Sequence, residues 1–383
     1  MLARMQERPE RAAWLIGVLL VLVWLFVYLT TVSPGVNFID SGELITAVHE
    51  PGIAHPPGYP LYVLMGYVAS HLLWGDVAWR VNVFSAFWGA MAVGAFFFLI
   101  YQAGQYITSL KPRKPVTQAS GSTRSSKASS RSGGTPKDES PARVTRISEP
   151  GIINAASRNL LLLASSAAGA SILGASSTFW SRTAQAKMYT LHYFFIAALL
   201  TLALQYRAAY ERGDKQASTR WLVALAITLG LSFTNHLMTV LLLLPIAVLL
   251  IGGANLGDRF RNILRRWTYL LPAFLAPLLL YLYMPIRAAQ HPTMNWGTPD
   301  TLGDFWRQIT GWQYQTYLGA NLSQNLPLLS RYAFEQWSLM TLPVYLAGVA
   351  GSALLFRAAR MLFWPTVLLA LLTLLFALLY GIS

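Results

Sequence analysis

The 383-residue chain holds only 15 acidic residues, and three of them, Asp40, Glu43 and Glu50, fall within eleven positions of a stretch (33–60) that has no Lys or Arg. The sequence from Asn37 to Tyr62 reads NFIDSGELITAVHEPGIAHPPGYPLY. Carboxylates and a histidine, here Asp40, Glu43 and His55, are the side chains that most often move a proton at a reacting centre. Two readings stay open for Asp40-x-x-Glu43. It has the form of a capping box, in which Asp40 accepts a backbone N–H and Glu43 reaches back. Alternatively Asp40 is a catalytic carboxylate, and both hold if only one oxygen serves the cap. The helix that follows is expected to run to about Glu50 and stop at Pro51–Gly52. Beyond it, His55-Pro56-Pro57-Gly58-Tyr59-Pro60 is a stiff corner, because each proline fixes its own φ and restricts the residue before it. That corner is either a plain turn or the wall of a site, and His55 and Tyr59 belong to it.

Other chemistry-bearing residues are scattered. Asn235-His236 interrupts the apolar run 221–252, and polar groups inside a membrane usually face a cavity or pair with one another. Arg287 follows Pro285 at a helix end, and Arg182 and Lys187 flank the loop before Tyr189. Each basic side chain either snorkels to headgroups or clamps a phosphate. The histidines are His49, His55, His71, His192, His236 and His291, and none pairs at HExxH spacing. No metal site is assigned, although Asp40, Glu43 and His55 could assemble around a divalent cation. The chain has no Cys, so thiol chemistry and disulfides are excluded. It also lacks the glycine-rich motifs of nucleotide sites.

The elements that must position these residues are dictated by composition. The chain is 55% hydrophobic and 11% charged, with mean hydropathy +0.44, against roughly 25% charged in a soluble domain. It is read as an all-α integral membrane protein. The net charge of +14 is concentrated: residues 107–150 hold nine Lys or Arg and three acids. No basic stripe interleaves with aromatics, so nucleic acid is not an expected partner, and the excess fits positive-inside topology. Arg4, Arg8 and Arg11 place the N-terminus in the cytoplasm, and residues 13–32 form a signal anchor with no cleavage pattern after it. Residues 61–74 are apolar but too short to span. Placing them in the interface sends 79–104 back to the cytoplasm, which leaves the basic segment inside.

Three parts follow from this reading. Residues 1–106 form an N-terminal membrane part with an external catalytic loop, 33–78. Residues 107–150, rich in Ser, Gly, Pro and basic residues, form a disordered cytoplasmic linker. Residues 151–383 form a C-terminal membrane part. There 157–178 runs outward, 179–188 is a short external loop, and 189–209 returns. The stretch 221–252 breaks into two short helices, and 268–286 leads to a long external loop, 287–335, whose Trp and Tyr residues suit an interfacial belt. Spans at 338–356 and 361–380 bring the expected count to about nine.

The strings FIDSGELITA, GIAHPPGYPLY, WRVNVFSA, FWSRTAQAKMYTL, GLSFTNH, YLYMPIR and NWGTP occur in that order. Together they resemble the membrane family that includes the eukaryotic transmembrane O-mannosyltransferase of receptor IPT domains, over most of residues 14–318 apart from the linker. That family looks like a branch of the GT-C glycosyltransferases. The resemblance implies a multispan helical bundle whose first external loop carries a catalytic acid and runs into interfacial helices. It further implies a polyprenyl-phosphate sugar donor, with mannose the first choice of hexose, and a protein or glycan acceptor. It places the active site on the extracytoplasmic face of the inner membrane. Asp40 falls at the family's motif acid with Glu43 beside it, while His55, Tyr59, His236 and Arg287 match motif positions. Donor-phosphate or sugar contacts are assigned to Arg287, His236, His55, Asn235, Tyr59, Lys187 and Arg182, with Arg287 the first choice of clamp. Lys187 departs from the family, standing where an acidic residue is expected. The chain also ends directly after a span, without the soluble domain that many relatives carry. The expected reaction is an inverting transfer with Asp40 as general base and no certain cofactor. A transporter or scramblase of lipid-linked sugars is the alternative.

Overall fold

A computed structural model describes residues 9–72, 74–110, 155–316, 322–335 and 341–380. The regular secondary structure of the described residues is all helical, apart from one isolated bridge between Ile53 and Asn295. Most of the segment expected as a linker lies outside them, although the helix before it continues to Ser109.

Helix α1 (Pro9–Leu29) packs along α4 (Val77–Ser109) through one buried cluster that includes Ala12, Ala13 and Tyr28 with Ala86, Ala90, Val93 and Phe97. Small residues at the seam let the two backbones approach in a setting where lipid competes for every apolar contact. At 33 residues, α4 is about 50 Å long and overshoots a hydrocarbon core of about 30 Å. Between them lie two short helices, α2 (Ser41–His49) and α3 (Pro60–Leu72). The 13 residues of α3 are too few to span, as the sequence indicated.

After the undescribed segment, α5 (Ala155–Ala175) bends by 69° into α6 (Ser177–Thr183). The stretch expected to be a plain loop, 179–188, is therefore helical in its first half, capped by Ser176 Oγ accepting from the Phe179 N–H. Helix α7 (Tyr189–Glu211) and α8 (Lys215–Asn235) follow as an antiparallel pair. The predicted break comes at His236, whose backbone is extended (φ −158°, ψ 132°). Its freed polar groups are satisfied locally: the Met238 N–H donates to His236 Nδ1, and Thr239 Oγ1 donates to the His236 carbonyl. Such replacement is what makes a broken helix tolerable in a membrane. The chain continues through a 3₁₀ turn (Leu237–Leu242), α9 (Leu243–Ile251) and α10 (Leu256–Leu264).

Helix α11 (Trp267–Leu278), a 3₁₀ turn (Leu279–Leu282) and α12 (Tyr283–Ala288) form one further apolar rod. The expected long loop after it is largely helical where described: α13 (Leu302–Thr310), α14 (Trp312–Gln315) and α15 (Leu322–Glu335). The chain closes with α16 (Thr341–Ala358) and α17 (Arg360–Tyr380). Among the described residues six helices are long and apolar enough to cross a membrane, or eight if each bent pair is one span. The further span expected at 338–356 is a shorter apolar helix, Leu342–Ala358, so the nine-span count does not carry over to the described helices.

Candidate active site

The C-terminal end of α1 and the N-terminal ends of α4 and α7 lie together, and the acidic loop is folded onto them. The first device is one turn of α4. Buried Asn82 donates to the carbonyls of Ser33 and Gly35 (both 2.9 Å) and accepts from the Ala186 N–H (2.7 Å). One turn on, Ser85 Oγ accepts from the Lys187 N–H at 3.0 Å and is itself within 3.0 Å of the Tyr62 hydroxyl. Asn82 and Ser85 thus join the start of the acidic loop to the segment before α7. Both residues belong to the string WRVNVFSA, and sequence reasoning gave neither a role.

Gripped in this way, Lys187 is 2% exposed and its ammonium donates to Asp40 Oδ2 at 2.9 Å. A buried ammonium requires such a partner. Asp40 keeps its other oxygen, Oδ1, without a hydrogen bond among the described residues, and its side chain is 33% exposed. The capping-box reading does not hold. Asp40 sits at the N-cap position with helical φ and ψ and makes no side-chain cap. Glu43 does not reach back either. Its carboxylate accepts from the His55 backbone N–H (2.5 Å) and from His55 Nδ1 (2.9 and 3.1 Å). Because an ionised carboxylate only accepts, this network assigns the Nδ1 proton to His55 and leaves Nε2 facing the Tyr59 hydroxyl at 2.8 Å.

The stretch that leads into the corner bearing His55, residues 50–54, is held from outside at every carbonyl. The carbonyls of Glu50 and Pro51 accept from Arg287, that of Gly52 from Tyr283, that of Ile53 from the Trp296 N–H, and that of Ala54 from Gln308. A loop without regular structure must place its backbone groups somewhere, and here residues 283–308 receive them. Gly58 completes the corner at φ +88°; a Cβ there would run into Met284 Sδ. Its carbonyl-side neighbour Tyr59 also takes positive φ (47°) and is 3% exposed. Burial, reinforced by Tyr189, Tyr314, Asp40 and Glu43 nearby, pushes the Tyr59 phenol well above its ordinary range. It stays a neutral hydroxyl.

The structure thus brings together Asp40, Glu43, His55, Tyr59 and Lys187, and next to them a second layer. The Tyr59 ring lies 5.6 Å from that of His236, and His236 lies 5.1 Å from His192 and 5.4 Å from Tyr189. Asn235 is fully buried and donates to the Met188 carbonyl. Arg182 stacks over Tyr189, 5.2 Å from its centroid. Arg287 is the exception: its contacts among the described residues are to the loop carbonyls and to Gln290, so its guanidinium serves as a strut. Ligand atoms of Asp40, Glu43 and His55 lie within 4.8 Å of one another, residue types that suit a divalent cation. Yet Lys187 already holds Asp40 Oδ2, and Glu43 is bonded to His55.

Beside this cluster an apolar groove of about 410 Å³ runs between α4, α7, the turn after His236 and α17. Thr178, Arg182, Tyr189 and His192 line it, together with Phe96, Ile196, Leu200, Leu241 and Leu369. A cavity of about 690 Å³ lies at the opposite ends of α1, α4 and α7, around Glu10, Gln102 and Arg212, and touches none of the candidate residues.

Residues 40–255 match the family of the protein O-mannosyl-transferase TMEM260 N-terminal domain, a range that opens on Asp40 and takes in Glu43, His55, Tyr59, Lys187 and His236. The chain belongs to this family. Members of the TMEM260 family similar to this chain include the protein O-mannosyl-transferase TMEM260 of Mus musculus, 27% identical over 284 residues. That match covers 73% of this chain and 31% of the mouse protein. The Dictyostelium discoideum protein of the same description is 38% identical over 87 residues, 22% of this chain and 11% of its own length. The chain therefore spans about a third or less of the relatives it matches. No solved structure matches it significantly.

Proposed function

We propose that this TMEM260-family chain is an inverting glycosyltransferase, moving a hexose from a polyprenyl-phosphate donor to an acceptor hydroxyl at the extracytoplasmic membrane face. The relatives' name, protein O-mannosyl-transferase, favours mannose as the sugar and a protein or glycan as the acceptor. The observation that carries the reading is Asp40: one oxygen is fixed by a buried ammonium, the other has no hydrogen bond among the described residues, and the side chain is one-third exposed beside an apolar groove with a guanidinium in its wall.

Asp40 Oδ1 takes the proton of the acceptor hydroxyl as that oxygen attacks the anomeric carbon. The bond from the anomeric carbon to the phosphate oxygen breaks, and the polyprenyl phosphate leaves with the electron pair. A positioned base contributes typically 10²–10⁴-fold, about 3–5 kcal/mol of barrier. The larger contribution comes from cations aimed at the departing phosphate. Arg182 takes that part in place of Arg287, because it lines the groove and its guanidinium is preset by Tyr189. Lys187 orients the base, and Glu43, His55 and Tyr59 hold the wall in which the sugar sits. A single displacement inverts the anomeric configuration.

The test is transfer by the purified protein in nanodiscs supplied with radiolabelled polyprenyl-phosphate mannose and a membrane extract. Label passing to an acceptor with inverted configuration supports the reading. Movement of intact donor between leaflets, without transfer, would replace it with a scramblase.

A further inference from the structure

Buried polar atoms that lack a hydrogen bond are few among the described residues, and two of them belong to residues next to the His236 break. His192 Nδ1 and Asn235 Oδ1 are both buried without a partner, and the residues are 7% and 0% exposed. They sit on α7 and α8 beside the His236 break, with the His192 and His236 rings 5.1 Å apart. A native structure rarely leaves such atoms orphaned unless water, an ion or a ligand completes them. Asn235 faces the Met188 backbone, whereas His192 lines the groove.

The groove has an order along α7. Tyr189, His192, Tyr193, Ile196 and Leu200 line it at spacings of three and four, which is one face of a helix. Tyr189 carries Arg182 on its ring. His192 lies about one turn further along, and Ile196 and Leu200 follow with only apolar partners, Leu241, Leu242 and Leu369. The polar groups are therefore gathered at the end next to Tyr59 and His236, and the remainder suits a hydrocarbon chain.

Building on the lipid-phosphate donor reading above, we infer that His192 is a headgroup ligand. Its imidazole donates a hydrogen bond to a phosphate oxygen of the polyprenyl phosphate while Arg182 neutralises the charge, and the first isoprene units lie over Ile196 and Leu200. A neutral imidazole offers one donor and one acceptor, so it adds direction to the site without adding a second buried charge beside Arg182.

The test titrates undecaprenyl phosphate and undecaprenyl-phosphate mannose separately into the full chain in nanodiscs. His192→Phe removes the hydrogen bond and keeps an aromatic ring against His236. His192→Asn restores a donor near the Nδ1 position. His192→Leu repeats the deletion with a different shape, so that a packing failure in one variant does not decide the result. The expected outcome is weakening of both lipids by at least about 10-fold in the Phe and Leu variants, as for one lost hydrogen bond to a charged oxygen, with Asn within about threefold of wild type. Unchanged affinity for undecaprenyl phosphate in His192→Phe overturns the inference. Loss confined to the mannosylated lipid also overturns it, moving the contact to the sugar. If the wild type binds neither lipid, the donor reading itself fails, a result distinct from either.

Discussion

Glu43→Ala removes the acceptor of two donors at once, the His55 backbone N–H at 2.5 Å and His55 Nδ1 at 2.9 Å. The side chains of Glu43 and His55 are 15% and 11% exposed, so water replaces the carboxylate only in part. Leaving a buried donor unsatisfied costs about 1–3 kcal/mol, and partial hydration of the pair puts the expected loss at about 2–4 kcal/mol. Glu43→Gln keeps an oxygen for the N–H and loses only the charge assistance, about 1–1.5 kcal/mol. The loss is local, since the carbonyls on the N-terminal side of His55 remain held by residues 283–308. Hydrogen exchange resolves it: the His55 amide should exchange on the order of 10²-fold faster in Glu43→Ala and about tenfold faster in Glu43→Gln. Protection of Tyr281 and its neighbours should not change. Equal exchange in wild type and Glu43→Ala refutes the claim that Glu43 holds the corner. Equal effects of Ala and Gln refute the role given to its charge.

Other expectations follow from the same contacts. Lys187→Met removes one partner of a buried ion pair and leaves the Asp40 carboxylate without its cation, which costs stability. Asp40 is one-third exposed, so water replaces the ammonium in part and the melting temperature should fall modestly. With Asp40 Oδ2 released, kcat should fall at least about tenfold, with donor KM little changed. Gly58→Ala meets both a positive φ and the Met284 sulfur and should destabilise the protein by about 2–4 kcal/mol. Measured against Met284→Ala alone, which carries its own cavity cost, Gly58→Ala should lose only the part due to φ, as read by thermal unfolding in detergent. Arg182→Met should raise donor KM, whereas Arg287→Met should lower the melting temperature, by about 1–3 kcal/mol equivalent, and leave donor KM near wild type. The opposite pattern would return the phosphate clamp to Arg287.

What could be read from the sequence was what local chemistry decides. The short α3, the helix stop before Pro51–Gly52 and the break at Asn235-His236 follow from length, proline and polar interruption, and all three are present. The spacing Asp40-x-x-Glu43 was ambiguous because capping and catalysis use the same side chains. Only the fold shows Glu43 turned towards His55, twelve residues on. Arg287 and Gln308 were opaque for another reason: their partners, Pro51 and Ala54, lie 236 and 254 residues away, and no local pattern announces such a pairing. Asn82 and Ser85 had a signal, two small polar residues one turn apart in an apolar helix, a pattern that membrane burial makes costly unless it is used. Lys187 had one too, as a cation two residues before an apolar span. Its pairing with Asp40 explains how a basic residue fits at that position: it meets a carboxylate already there.

In the proposed reaction Asp40 is the base of a sugar transfer from a polyprenyl-phosphate donor. The most direct measurement compares wild type with Asp40→Asn under saturating radiolabelled polyprenyl-phosphate mannose in nanodiscs, with acceptor from a membrane extract. Asparagine keeps the shape and a contact to Lys187 but cannot take the proton. Transfer is expected to fall by roughly 10²–10⁴-fold, with donor affinity within a few-fold of wild type. Transfer at the wild-type rate by Asp40→Asn would contradict the role of Asp40 as base.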